Sequence, residues 1–534
     1  MLTKVYSASI QGIDAFPVTI ETDGGKGAMF SIVGLPDTAV KESYQRMVAA
    51  ISHSGIKFPR KATTINLAPA DVKKEGAAFD LPMAIGVLTA HQVVEAPELS
   101  DYMIMGELSL DGSVLPVKGA LPMAIKAREL GFKRIIVPEV NVTEAAVVNK
   151  VEVYGVKNLS EAINLIAGNS DLEPKKINTR EIFAKEAVSF DFDFSEVKGQ
   201  EGVKRAFEVA CAGGHNILLI GPPGAGKSMM AKRIPSILPP LSLGEALETT
   251  KIHSVAGKLS RGSMLMTRRP FRTPHHTVSP VALVGGGSSP MPGEISLAHN
   301  GVLFLDEFPE FPRQVLEVMR QPIEDRVITV ARAKYTVDYP ASFMLVASMN
   351  PCPCGYYGHP TKRCTCMPGQ VNKYMNRISG PLLDRIDLQI EIQPVPFDDM
   401  ANTAPAESSA AIRERVIKAR QVQQERYKGE KGIYCNAQMN SRLLHKYAWP
   451  DEEGLAKLKE RMTKLNMSAR AFDRILRVAR TIADLEYSQN LPPLGNSDYP
   501  AAMALAISSP VLSRHIAEAI GYRSLDRSDY GTIF

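Results

Sequence analysis

Polar and apolar residues alternate along the first segment, MLTKVYSASIQGIDAF, with the period of a half-buried strand. Further on, ATTINLAP, RIIVP and VEVYGV read as strands, while DTAVKESYQRMVAAISHSG and ALPMAIKARELGF carry the period of helices. Residues 1–166 are therefore expected to form one domain mixing helices with a sheet. The segment 167–195 is polar, has no sustained apolar period and reads as a linker. A short apolar run, NILLI at 216–220, then meets glycines, and a helical pattern begins at Lys227. This opens a second domain, expected over 196–395. A weaker boundary lies at 394–409. Beyond it 410–428, 452–464, 468–488 and 499–520 all read as helices, so 396–534 is expected to be all helical. No internal repeat is visible.

Composition adds exclusions. The 534 residues are 45% hydrophobic and 22% charged, ordinary globular usage that rules out a disordered, collagen-like or coiled-coil chain. Nothing approaches the run of about 18 apolar residues that a membrane span needs, and the first segment lacks a signal-peptide core. Six cysteines in a chain this long are no disulfide framework. A cytoplasmic protein without a membrane partner is expected. The net charge of +5 says less than its distribution: −2 over residues 1–170 and +5 over 401–534. Residues 251–293 hold six basic side chains and no acidic one, and 350–383 hold four and none. A surface facing nucleic-acid phosphates needs such stretches, because a carboxylate there would repel the backbone.

The segment Gly221-Pro222-Pro223-Gly224-Ala225-Gly226-Lys227-Ser228 matches G-x-x-x-x-G-K-[ST] between a predicted strand and a predicted helix. Glycines let backbone N–H groups turn inward around phosphates, and the helix N-terminus adds its positive end. Lys227 is expected to reach the β- and γ-phosphates of ATP, and the Ser228 hydroxyl to ligate Mg²⁺. About 80 residues later the apolar run GVLFL delivers Asp306 and Glu307. Asp306 is expected to hold Mg²⁺ directly or through water, and Glu307 to orient and deprotonate the attacking water. Another apolar run, FMLVASM, ends at Asn350, which can hold that water against the γ-phosphate. Arg385, in SGPLLDRID, does not look like part of its own subunit's pocket. An arginine offered to a neighbour's phosphate requires a ring. Arg470 begins an arginine-rich helix and is expected to lie over the nucleotide, with Arg474 as the fallback and the remaining arginines on a solvated face.

In this order these residues resemble the AAA+ ATPases of the helix-2-insert group, magnesium-chelatase-like subfamily. The blocks RPFRTPHHT (269–277), ALVGGG (282–287) and PGEISLAHNG (292–301) are similar to the ComM/YifB type. The resemblance covers nearly the whole chain. It implies an AAA+ αβα P-loop core with a helix-2 insert and a pre-sensor-1 hairpin, closed by a helical lid. It makes 221–228 Walker A, Asp306–Glu307 Walker B, Asn350 sensor 1, Arg385 the arginine finger and Arg470 sensor 2. It also implies a hexameric motor, a DNA helicase that moves branch points during integration of incoming DNA, with recombination proteins as further partners. The residues agree with an insert at the acid-free stretch, where GGGSSPMP suits a hairpin tip. VITVARAKYTV reads as two strands with Arg332 and Lys334 near the turn, placed to contact DNA. A chelatase-type ATPase that remodels a protein partner is the alternative.

Two further features stand apart. Cys352, Cys354, Cys364 and Cys366 fall within fifteen residues and are candidate Zn²⁺ ligands, with His359 able to replace one. Reduced buried thiols are the competing reading, and Cys211 and Cys435 are expected merely to pack. Residues 1–166 resemble the Lon-type proteolytic domain, a ribosomal-protein-S5-domain-2-like fold, through GELSLDGSVLPV (106–117), KGALPMAI (118–125) and EGAAFDLPMA (75–84). That family uses a serine activated by a lysine. The matching positions here are Ala78 and Met123, neither of which can act as nucleophile or base. An active protease is not expected.

Overall fold

The computed structural model describes residues 1–178, 190–259, 264–287, 290–332, 335–395, 406–465, 467–493, 495–523 and 525. Residues 179–189 of the expected linker, the boundary segment 396–405 and Lys334 lie outside them. So does the side chain of Arg332.

The alternating opening segment folds as the strand Leu2–Gln11, which turns at Gly12-Ile13 and pairs antiparallel with Asp14–Gly24 from Leu2↔Asp23 to Gln11↔Asp14. A seven-stranded sheet grows around this hairpin. Its order is Phe30–Val33, Thr63–Ala68, Asp14–Gly24, Leu2–Gln11, Tyr102–Ile104, Arg134–Pro138 and Glu152–Val156. Period-two alternation sends neighbouring side chains into two cores. Val5, Ile104 and Ile136 pack with the helices Thr38–His53 and Asp80–Ala90, while Ala8, Met103 and Ile135 pack with Ala120–Glu129. The fully buried Asp80 is bound by Arg46 Nε at 2.6 Å, which raises the Arg46 pKa.

The second sheet is wholly parallel, in the order Phe271–Arg272, Val302–Leu305, Met344–Met349, Ile217–Ile220, Leu388–Glu391. Its strands are near-continuous apolar runs because both faces are covered: Leu219, Phe304 and Val346 enter one core, and Leu218, Leu305 and Leu345 the other. Two insertions leave this sheet. Gly285–Gly286 pairs with Met291–Pro292, and Val327–Arg332 pairs with Tyr335–Pro340 as a hairpin whose last register pair is Arg332↔Tyr335.

Helices follow at Ser409–Arg426, Glu452–Leu465 and Ala469–Tyr487, close to the pattern read from periodicity. Two differences are physical. The expected helix at 499–520 is two helices, Tyr499–Ser508 and Ser513–Gly521, because Pro510 forces Ser509 into extended backbone. The short helix Ser441–Tyr447 was not anticipated; its N-cap Asn440 accepts from Leu443 N at 3.0 Å. Among the described residues no helix is long and apolar enough to cross a membrane.

The two sheet-containing units share one core. Leu241, Ala246 and Leu265, from the unit built on the parallel sheet, are buried with Leu121, Met123 and Val153 of the N-terminal unit. The helix Leu243–Val255 lies along Ala120–Glu129, with Lys251 ion-paired to Asp14 and Ser254 hydrogen-bonded to Glu144.

Candidate nucleotide site

The loop 221–226 leaves the C-terminal end of the strand Ile217–Ile220, where parallel sheets bind ligands. Gly226, at φ +84°, turns the chain into the helix Lys227–Ala231, a backbone conformation that L side chains rarely adopt. The Lys227 ammonium is drawn into the loop, donating to Gly221 O at 2.6 Å, Pro222 O at 2.9 Å and Asn350 Oδ1 at 3.1 Å. Burial lowers its pKa, against the opposing pull of Asp306.

Asp306 follows the strand Val302–Leu305, beside the strand that carries Ser348 and ends at Met349. Ser228 Oγ donates to Asp306 Oδ2 at 2.6 Å; Ser348 Oγ and the Glu307 N–H donate to Oδ1, the latter at 3.0 Å. Two oxygens on one octahedral Mg²⁺, at about 2.0–2.1 Å each, lie about 2.9 Å apart. The Ser228–Asp306 pair is thus already close to the spacing that ion requires. Ser348 was missed by sequence reasoning, although a buried serine two residues before Asn350 in an apolar strand is itself a signal.

Glu307 adopts a left-handed backbone, φ +53°, and its carboxylate stands 3.4 Å from His276 Nδ1. His276 packs on His275 at 4.0 Å between ring centroids and edge-on to Phe311. His276 entered the sequence reading only as part of the block 269–277. In the fold it is a neighbour of the acid expected to activate water. Arg272, in the same block, is clamped by both oxygens of Glu294 at 2.7 and 2.8 Å.

The structure brings Lys227, Ser228, Asp306 and Asn350 together, with Glu307 next in chain to Asp306. Arg470 does not join them, and Arg385, expected to serve a neighbour's pocket and not its own, is held elsewhere. Arg385 is 5% exposed, paired with Glu324 at 2.7 Å and donating to Pro381 O at 2.6 Å. Arg470 stands exposed on the first turn of Ala469–Tyr487. Arg474, one turn on, donates to Asp387 Oδ1 at 2.8 Å, while Asp387 Oδ2 accepts from Asn216 N at 2.8 Å. Burial opposes ionisation of Asp387, but Arg474 and His215 outweigh it and hold the carboxyl far below its usual range. Burial depresses the His215 pKa, against the opposing pull of Asp387.

The solvated face expected for the other arginines of this helix is corrected. Arg480 is 1% exposed, and its Nε donates to Asp484 Oδ1 at 2.9 Å. Arg426 donates to both Asp484 oxygens at 2.6 and 2.7 Å. Arg477 is largely buried, donating to Met439 O at 3.1 Å. A buried carboxylate gathers guanidinium groups inward because neither ion can be desolvated alone.

The four cysteine sulfurs of 352, 354, 364 and 366 lie within 4.8 Å of one another. His359 is not among them; its Nδ1 accepts from Thr361 N at 3.1 Å and Lys362 N at 3.0 Å, so it is no substitute ligand. Cys211 and Cys435 are buried, as expected of packed thiols. In the N-terminal unit Ala78 and Met123 line one cleft of about 1080 Å³, together with Ser9, Lys73, Lys118 and, from the ATPase side, Met291.

A glycine loop, two strand-end acids and a strand-end asparagine on a parallel sheet, followed by a helical lid, define an AAA+ P-loop ATPase. The comparisons make this more specific. The family described as magnesium chelatase, subunit ChlI, matches residues 193–400, with the related subunit ChlI family at 18–141 and the subunit ChlI C-terminal family at 406–493. The competence protein ComM of Haemophilus influenzae is 40% identical over 533 residues, covering 98% of both chains. The YifB protein of Escherichia coli is 41% identical over 530 residues, again 98% of both. The Lon protease of Trichlorobacter lovleyi is 27% identical over 166 residues, 29% of this chain and 20% of that one. The chain belongs to the magnesium-chelatase-like AAA+ ATPases, ComM/YifB type.

Proposed function

We propose that the chain is an ATP-driven motor acting on DNA as a ring of identical subunits, a hexamer, that moves branch points in the cytoplasm during natural transformation or recombination. The observation that carries this reading is the convergence of Lys227, Ser228, Asp306 and Asn350 at one sheet edge. The acid-free basic stretch 350–383 adds the DNA side, whereas in 251–293 Lys251, Arg269 and Arg272 are ion-paired with Asp14, Glu245 and Glu294; the relative named a competence protein agrees with a DNA role.

In this reading the N–H groups of 221–228 cradle the phosphates of ATP, and Lys227 exchanges the loop carbonyls for β- and γ-phosphate oxygens. Ser228 and Asp306 would hold Mg²⁺, which would supply positive charge to offset that of the phosphates. Glu307 takes a proton from the attacking water while Asn350 fixes that water in line. Arg385 serves the neighbouring subunit by exchanging Glu324 for a γ-phosphate, one anion for another. Arg470 covers the nucleotide from the lid. Arg332 and Lys334 follow the DNA backbone. Ala78 and Met123 put neither a serine nor a lysine at the two positions of the Lon-type dyad, so peptide hydrolysis is no part of the proposed function. A second reading, remodelling of a protein partner, is favoured by that same cleft, which is large enough for a polypeptide segment.

The test is ATP hydrolysis without DNA, with single strands and with a four-way junction, with Arg385→Ala alongside. DNA stimulation that disappears in the variant supports a coupled ring. A rate indifferent to DNA overturns the motor reading and favours the protein partner.

A further inference from the structure

The cysteine quartet has the geometry of a metal site. Cys352 and Cys354 sulfurs are 3.4 Å apart, Cys352 and Cys364 3.7 Å, and Cys354 and Cys364 3.5 Å. Four thiolates about 2.3 Å from one tetrahedral Zn²⁺ stand about 3.8 Å from each other, so small outward shifts close the shell. The loop around them, PCPCGYYGHPTKRCTC, contains no aliphatic residue. It has little apolar surface with which to hold its own shape, which is the circumstance in which a metal replaces a core.

The knuckle also abuts the phosphate loop. Cys352 is two residues past Asn350, which accepts from Lys227 at 3.1 Å. Gly355, at φ +84°, rests on the ring of Pro223; a Cβ placed there would stand 2.6 Å from Pro223 Cδ. One side of the nucleotide loop is therefore formed by the turn that follows Cys354.

We propose that Cys352, Cys354, Cys364 and Cys366 bind one zinc ion whose presence sets the conformation of the phosphate loop, so that nucleotide affinity depends on a metal that never touches the nucleotide. This rests on 221–228 being the nucleotide site. Loss of the ion releases the turn at Gly355 from Pro223 and the Asn350 amide from Lys227. The zinc is a clamp on the loop, distinct in place and role from the Mg²⁺ that accompanies ATP.

Two readouts on the full chain test this: zinc content by mass spectrometry of the purified protein, and affinity for a fluorescent ATP analogue with Mg²⁺ in excess. About one zinc per chain is expected. Removal by a zinc-selective chelator is expected to raise the nucleotide Kd about fivefold or more, reversed when zinc is returned. Cys364→Ser with Cys366→Ser should lose the metal and show the same weakening. Gly355→Ala keeps all four ligands, so it should retain zinc and still weaken nucleotide binding, which separates the clamp from general unfolding. Absence of zinc from the wild-type protein overturns the proposal. So does an unchanged Kd after reversible zinc removal, which leaves the nucleotide site itself standing. Zinc-loaded protein that binds no nucleotide would instead overturn the reading of 221–228, and the clamp with it.

Discussion

Glu307 shows how a single backbone angle can serve a site. A non-glycine residue at φ +53° carries a conformational cost of about 1–2 kcal/mol, and here it accompanies a carboxylate that stands 3.4 Å from His276 Nδ1. Glu307→Gln keeps the shape and removes the proposed base. Nucleotide binding should persist while turnover falls by about 100-fold or more, read as retained labelled ATP in a filter assay. Asp484 is the opposite kind of residue, an ion with no part in the proposed chemistry. Burial works against its ionised form, but Arg426 and Arg480 prevail and lower its pKa. Its stabilising contribution is therefore fully present above about pH 3.9, the ordinary aspartate value, and is lost as pH falls toward the lower folded-state value. Asp484→Asn leaves two guanidinium groups uncompensated and should lower the unfolding free energy by about 3–5 kcal/mol at neutral pH. In urea denaturation the gap from wild type should narrow below about pH 4.

At the scale of elements, the helix Ala469–Tyr487 separates what could be read from the sequence and what could not. Its length followed from apolar spacing, and in the structure Ser468 caps its start by accepting from Ala471 N at 3.2 Å. The direction of its arginines did not, because their partners are remote or unremarkable in sequence: Asp387 lies 87 residues before Arg474, and Asp484 looks like any acid four places from an arginine. The nucleotide loop was legible because its chemistry is local, eight consecutive residues between a strand and a helix. Arg385 was legible as a motif, but its burial beside Glu324 was not, since Glu324 belongs to another helix. The helix makes one test compare both kinds of arginine. Arg474→Ala strands the buried Asp387 and should cost about 3 kcal/mol, whereas exposed Arg470→Ala should change stability by less than about 0.5 kcal/mol. Chemical denaturation followed by circular dichroism distinguishes them.

Across the whole molecule, the N-terminal sheet and the ATPase are held by a common core rather than by a flexible tether. The helix Leu243–Val255 lies in sequence between Lys227 and Asp306 and packs on Ala120–Glu129, so a shift of the nucleotide site has a packed route to the N-terminal unit. Ala246→Glu would force a carboxylate into that core. The expected result is separation of a single unfolding transition into two, seen by calorimetry, with the N-terminal unit melting first.

Met123, where the Lon-type resemblance would place the general-base lysine, is 3% exposed within the core that joins the two units. The same spot therefore cannot regain an ammonium group without disturbing the joint to the ATPase. A side chain that serves as mortar between two units leaves no room there for chemistry, and the N-terminal unit is then read for what leans on it.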